Sequence, residues 1–298
     1  MPNLINESPG LIAFVRTVET GSFSAAARSL KTTPSAISKS VGRLEKHIRA
    51  RLFIRSTRAL TLTPDGQAFF DRVAPLLKEL DTSDEVIHAA AGPAGRLRVS
   101  MPSELAALLM EPLLSKFARE HPQVHLDLGL TDRYVDLIRE DYDVVFRVGQ
   151  TLQGDLMVRR LAELDMVLVA SPAYVATFGN PASIDDLRDL PFARYSLGGR
   201  PRAVQFSNGT SISPRGRMDC DSGYGLHAAA LQGMGIAHLM RCVVEKDLSS
   251  GDLVRILPNE PLPALPFNAL HAFGRMVPAR VKLLCDFIAQ ETKALSAE

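Results

Sequence analysis

The sequence predicts an α+β chain of several units: a small helical head closed by two short strands, a long linking helix, and a larger body of two α/β lobes. Three observations predict it. Apolar residues recur at helical spacing in three short runs between residues 11 and 48, a single amphipathic run extends from residue 65 to about 91, and from residue 96 strand-like and helix-like stretches alternate. At 298 residues the chain is also about twice the size of an ordinary domain.

Hydrophobic residues make up 46% and charged residues 22% of the chain, the balance of a globular protein rather than a disordered or fibrous one. No stretch reaches the eighteen or so apolar residues that cross a bilayer, and MPNLINESPG lacks a basic segment followed by an apolar core. The expectation is a cytoplasmic protein with no membrane partner. Cys220, Cys242 and Cys285 lie far apart, with no CxxC pair, so neither a zinc site nor a disulfide framework is legible. They read as reduced structural thiols, with a peroxide-sensing pair as the alternative.

The net charge of +1 hides an asymmetry: residues 1–63 hold ten basic residues against three acids, a net +7, and the remainder carries −6. A basic head on a mildly acidic body suits a protein that grips phosphates with one end. A run of solvated surface charge is the plainer alternative.

Within the head, Leu11, Phe14, Val15 and Val18 mark one face of a first helix that Gly21 breaks. Ser22 is positioned to cap a second, Phe23 to Leu30, whose Ala26 and Ala27 let another helix cross closely. Pro34 opens a third helix running to about Ile48, buried through Ile37, Val41 and Leu44, while Ser35, Ser38, Lys39 and Gly42 face the other way, as groups able to approach base edges in a major groove. In ARLFIRSTRALTLTPDG, Leu52, Phe53, Leu60 and Leu62 can pin two short strands with Arg55 and Arg58 on the connection, a wing lying along DNA backbone or minor groove. Both arginines could equally be ordinary surface residues.

Residues 14–66, FVRTVETGSFSAAARSLKTTPSAISKSVGRLEKHIRARLFIRSTRALTLTPDG, resemble the LysR-type transcriptional regulators in the ordered run of AA, S-A-hydrophobic-S, LE, LF.R and LT..G. The resemblance implies a winged helix-turn-helix over residues 7–64. It implies base or phosphate contacts from Thr33, Pro34, Ser35, Ser38 and Lys39, with Arg43 near the backbone and Arg55 and Arg58 on the wing; Ser22 joins these candidates at the head of the second helix. Family members often carry glutamine where Pro34 stands, so a bidentate adenine contact from that position is absent here.

From Asp65 to about Ala91, Phe69, Phe70, Val73, Leu76, Leu77 and Leu80, later Val86 and Ile87, form one apolar stripe that needs a partner. The resemblance implies an antiparallel pair of such helices, 65–91, joining two heads over a pseudo-palindromic double-stranded DNA site; packing on its own domain is the alternative. Pro75 is expected to kink this helix, and AAGPAG, residues 90–95, to end it as a hinge.

The body, 92–298, reads as strands LRVSM, VHLDLGL and DVVFRV with helices at Leu105–Glu120 and Arg133–Arg139. A second set follows: MVLVA, a helix at Ser183–Asp189, GRMDCD, a helix at Ser222–Gln232 and GIAHLM. LPFNALHAF and a helix at Pro278–Ala294 then return the chain. Such alternation predicts parallel sheets with crossover helices. It resembles the periplasmic-binding-protein-like effector domain of the same family, with lobe I near 96–163 and 268–298 and lobe II near 164–267. Ligands in such folds sit at the carboxyl ends of strands. The candidates are Pro102, Ser103, Thr131 and Arg147 from the first lobe, and Ser196, Asp221 and Ser222 from the second. Helix N-termini at Ser103 and Ser222 could receive an anion, and Arg147 could clamp a carboxylate or instead pair with Asp143 or Asp132.

No HExxH, GxSxG or Walker loop is present, and GMGIAHL follows a helix and precedes a strand, the reverse of a dinucleotide fingerprint, leaving Gly233 and Gly235 as helix-end and turn glycines. A solute-binding receptor is the other class weighed, disfavoured by the complete winged motif. The reading is therefore a regulator with no catalytic residue, cofactor or metal. Its partners are DNA, a small anionic effector, its own copies as homodimer or homotetramer, and RNA polymerase.

Overall fold

A computed structural model describes residues 4–55, 60–81, 93–150, 156–274 and 276–296. They fall into two units, the smaller drawn from residues 1–92, 136–143 and 272–279 and the larger from 93–135, 144–271 and 280–298.

In the smaller unit three helices follow one another: α1 (Ser8–Thr20), α2 (Phe23–Ser29) and α3 (Pro34–Ile48). Gly21, at φ +75°, stops α1 by returning its N–H to the Val18 carbonyl. The Ser22 hydroxyl then accepts the Ala25 N–H at 3.1 Å and the Thr33 hydroxyl the Ala36 N–H at 3.2 Å, so both later helices start on a side-chain cap. Phe14, Ala26, Ala27, Ile37, Val41, Leu44, Leu52 and Phe53 form the core. Strands β1 (Phe53–Arg55) and β2 (Leu60–Leu62) pair antiparallel, Phe53 opposite Leu62, as the wing. Arg58 lies outside the described residues.

The motif residues of the wing have direct structural roles. Glu45 of α3 accepts the Leu52 and Phe53 N–H groups at 2.8 and 3.3 Å, tying α3 to the wing's first strand. Thr63 donates to the Arg51 carbonyl at 2.6 Å and accepts the Gly66 N–H at 2.8 Å, opening helix α4 (Pro64–Asp81). A Cβ on Gly66 would stand 2.1 Å from the Leu52 carbonyl oxygen, which the Thr63 N–H holds in place. Gly66→Ala should therefore cost the head about 3 kcal/mol through overpacking, read as a lower urea midpoint; an unchanged midpoint would mean that the backbone there yields freely.

Helix α4 runs through Pro75 without interruption; residues 82–91 of the expected linker and 90–92 of the expected hinge lie outside the described residues. Phe70, Val73 and Ala74 bury themselves in the head, with Phe69 and Leu77 packed against it, whereas Leu76 and Leu80 stay 52% and 68% exposed. Two later chain segments complete this unit. Ile138 packs on the head core, and Lys78 meets Asp141 and Asp143 at 3.1 Å each and donates to the Tyr142 carbonyl at 2.9 Å. Its Nζ also sits 5.9 Å from the Phe273 ring centroid, beside the Gly274 N–H that donates to Glu79.

The larger unit contains two sheets. The first has the order β4 (Val124–Leu130), β3 (Gly95–Met101), β5 (Val144–Val148), β15 (Leu265–His271), β6 (Met157–Leu164). The second runs β12 (Gly216–Cys220), β8 (Phe192–Leu197), β13 (Ile236–Met240), β7 (Met166–Ala170), β14 (Val254–Ile256), with the short β9 (Arg200–Pro201) beside β8. A separate ribbon pairs β10 (Val204–Gln205) with β11 (Ser211–Ile212). Both large sheets are mixed rather than parallel throughout: β15 runs antiparallel to β5 and β6, and β7 antiparallel to β13 and β14.

Helix α5 (Ser103–Pro112) continues through a π-helical turn, Leu113–Phe117, to Glu120. Helices α6 (Pro172–Phe178), α7 (Gly223–Leu231) and α8 (Arg241–Ser250) serve the second sheet, and α9 (Ala279–Ser296) returns to the first, where Arg280 donates to the Arg96 carbonyl at 2.9 Å. Two expected helices are corrected. Residues 133–139 form turns, because the Asp136 carboxylate accepts the Arg139 N–H and Glu140 accepts the Asp136 N–H, side-chain bonds that compete with a helical ladder. Residues 183–189 hold only a 3-10 turn, Asp185–Arg188, where Asp186 accepts the Ala182 and Ser183 N–H groups.

Candidate functional site

Helix α3 carries the first candidate site. With 100° between successive residues, Ser38, Gly42, Ser35, Lys46, Lys39 and Arg43 occupy one continuous arc, and the buried Ile37, Val41, Leu44 occupy the opposite side. Thr33, Pro34, Ser35, Lys39 and Arg43 are exposed and Ser38 is half-buried. The hydroxyls of Ser22 and Thr33 accept helix N–H groups, which leaves each O–H as a donor suited to a phosphate oxygen. Arg43 reaches back to the Ser40 hydroxyl at 3.4 Å. The side chains of this arc are therefore short near the N-terminus of α3 and long and cationic toward its middle. Arg55 is the last residue of β1.

The second candidate site lies where the two lobes of the larger unit meet. The ends of β3, β4 and β5 are stitched together: the Thr131 N–H donates to the Met101 carbonyl at 2.9 Å, and the Ser103 N–H donates to Asp132 Oδ1 at 2.8 Å. The α5 N-terminus, expected to offer N–H groups to an anion, thus already faces an internal carboxylate. Arg147 donates to the Phe146 carbonyl at 2.8 Å, the Ser100 hydroxyl at 3.1 Å and the Arg133 carbonyl at 3.0 Å. Asp143, one of its two anticipated partners, forms an ion pair with Lys78 at 3.1 Å.

From the other lobe, Asp221 and Ser222 precede α7; Ser222 stands at the N-cap without a side-chain cap bond. Ser196 is buried on the face of β8 shared with Phe192, and its neighbour Tyr195 lies on the α7 side with Ala193. Burial, then the charges of Asp132 and Asp221, raise the Tyr195 phenol above its ordinary value, and Arg147 works the other way. Tyr195 thus stands within electrostatic reach of Asp132 and Arg147 from one lobe and Asp221 from the other, while Ser196 is buried on the opposite face of β8. Sequence reading missed Tyr195 and Glu104. Strand alternation could have offered Tyr195; Glu104 gave no signal, because an acid in a first helical turn is ordinary.

Cys242 is pushed up to about 11 and Cys285 to about 12, mainly by burial, so neither holds the thiolate a peroxide sensor uses. Among the described residues no group of three or more His, Cys, Asp or Glu could hold a metal ion, and no helix is long and apolar enough to cross a membrane.

Two family models cover most of the chain: the bacterial regulatory helix-turn-helix protein, lysR family, over residues 10–67, and the LysR substrate binding domain over residues 90–293. A curated relative, the HTH-type transcriptional regulator CrgA of Neisseria meningitidis serogroup C (strain 8013), is 32% identical over 288 residues, 95% of this chain and 96% of the relative. The solved structure of CrgA from Neisseria meningitidis, a LysR-type transcriptional regulator, has a TM-score of 0.60 at 31% identity, covering 95% of this chain and 98% of that one. The full-length Vibrio cholerae virulence activator AphB gives a TM-score of 0.59 at 26% identity over 95% and 98%.

Proposed function

The chain belongs to the LysR family of bacterial helix-turn-helix regulators, and from that membership we propose a division of labour. Residues 7–64 read DNA, 65–91 pair two subunits, and 92–298 bind a small effector with an anionic group between the lobes. The observation that carries the reading is the arc of α3, Ser35, Ser38, Lys39, Gly42, Arg43 and Lys46, set opposite a fully buried stripe. Leu76 and Leu80, exposed on α4, support pairing with a second copy, as homodimer or homotetramer, so that two heads read a pseudo-palindromic site. The protein acts without catalysis, in the bacterial cytoplasm where the DNA is, with RNA polymerase as a further partner.

Binding to a labelled fragment from upstream of its own gene, compared with random DNA across a salt series, tests the reading. A preference for the upstream fragment that survives moderate salt is expected; equal, salt-sensitive binding to both would overturn it. Within that assay Arg55→Ala should weaken binding to all sequences alike and shallow the salt slope by about one phosphate contact, whereas Ser38→Ala should relax specificity. Equal losses on both DNAs from both variants would sink this assignment of roles.

A further inference from the structure

Glu104 opens the first turn of α5 yet is only 8% exposed. It rests against the other lobe: its carboxylate lies directly over Gly223, the first residue of α7, in the space that a Cβ there would enter. Glu104 Oε1 and Asp132 Oδ2 are both buried with no hydrogen-bond partner, while the second Asp132 oxygen takes the Ser103 N–H. The two acids repel, and burial together with Asp132 pushes Glu104 up to about 7. The groups around them are a thiol, a further acid and one guanidinium. From α8 comes the Cys242 thiol, itself raised by burial and by Glu104, and around Tyr195 stand Asp221 and Arg147, the latter donating to two carbonyls and Ser100.

Two buried acceptor oxygens with nothing to accept are costly unless a donor reaches them. A divalent metal needs a larger oxygen cage than two single oxygens, and no such group exists among the described residues. An ammonium brings three N–H donors and one positive charge, which matches two unpartnered acceptors and excess acid. We propose that the boundary between α5 and α7 takes the ammonium group of an amine-bearing effector, bound by Glu104 and Asp132. The inference rests on the reading of the interlobe cleft as the effector site. The ligand class is therefore the small amines that are protonated at neutral pH.

The test uses the full chain and ethylammonium chloride as probe, against sodium chloride at equal ionic strength. At about pH 8, where Glu104 is ionised, ethylammonium at about 50 mM should raise the melting temperature of the larger unit above that in sodium chloride, and the effect should fade toward about pH 5.5 as Glu104 takes a proton. Calorimetry near pH 7 should show proton release, as an enthalpy that differs between phosphate and HEPES buffers. Glu104→Gln should weaken ethylammonium at least about tenfold and abolish that buffer dependence, and Asp132→Asn should weaken it too. Equal melting in the two salts at the higher pH, or an unchanged response in Glu104→Gln, would overturn the proposal. Sodium acetate separates the two readings: stabilisation by acetate without ethylammonium keeps the cleft as an effector site and removes the ammonium subsite.

Discussion

Phe14→Ala should unfold the head while the larger unit keeps its own transition. Phe14 is fully buried, with the Phe53, Phe69 and Phe70 rings at centroid distances of 5.4, 5.7 and 6.3 Å. One residue thus joins the first helix, the wing and the linker helix, and truncating a ring so placed costs about 3–5 kcal/mol, a large share of what a small head can hold. Calorimetry should show one transition lost or moved far down and one in place, and specific DNA binding should vanish at the growth temperature. Undiminished binding would mean that the head is held from elsewhere.

The second large effect is on pH dependence. An acid whose folded-state value is raised destabilises the fold only when ionised, so the Glu104 penalty is absent below pH 4.5, grows through the interval, and is complete above about 7. It amounts to about 3 kcal/mol there. Relative to Glu104→Gln, the wild-type chain should therefore lose about that much stability between acid and mildly alkaline pH, whatever constant cost the buried amide adds. Urea unfolding of both proteins across that range gives the comparison; parallel curves would place Glu104 in a wetter setting than its burial indicates. Glu19 adds a slope of the same sign, its burial outweighing the Arg16 pair at 3.0 Å and raising it to about 7. His238, buried and lowered to about 4, contributes stability above 6.5 that is lost as pH falls toward 4, so it opposes both acids on the acid side.

The head was readable because its rules are local. Helix spacing, the Ser22 cap and Gly21 each act within a few residues, and the sequence shows them directly. The body was readable wherever an apolar strand declared itself, as in Met166–Ala170 and Val144–Val148. It failed where short polar side chains took the backbone for themselves, at Asp136 and Asp186, and in β6, whose Met157–Arg160 stretch is exposed and carries no apolar alternation. The effector-site candidates at strand ends were drawn from the fold class alone. Glu104 gave no such signal, because the surface it packs against includes Gly223, more than a hundred residues away and in the other lobe.

The Lys78 cluster bears on how such regulators could be recombined. A head exchanged between relatives at residue 92 would carry Lys78 and Glu79 but leave Asp141, Asp143 and the Gly274 N–H behind with the old body. The recipient would have to supply acids of its own at those places or hold an amine with no counter-charge. The seam along which this protein can be inherited in pieces is therefore not the seam where its two sequence modules meet.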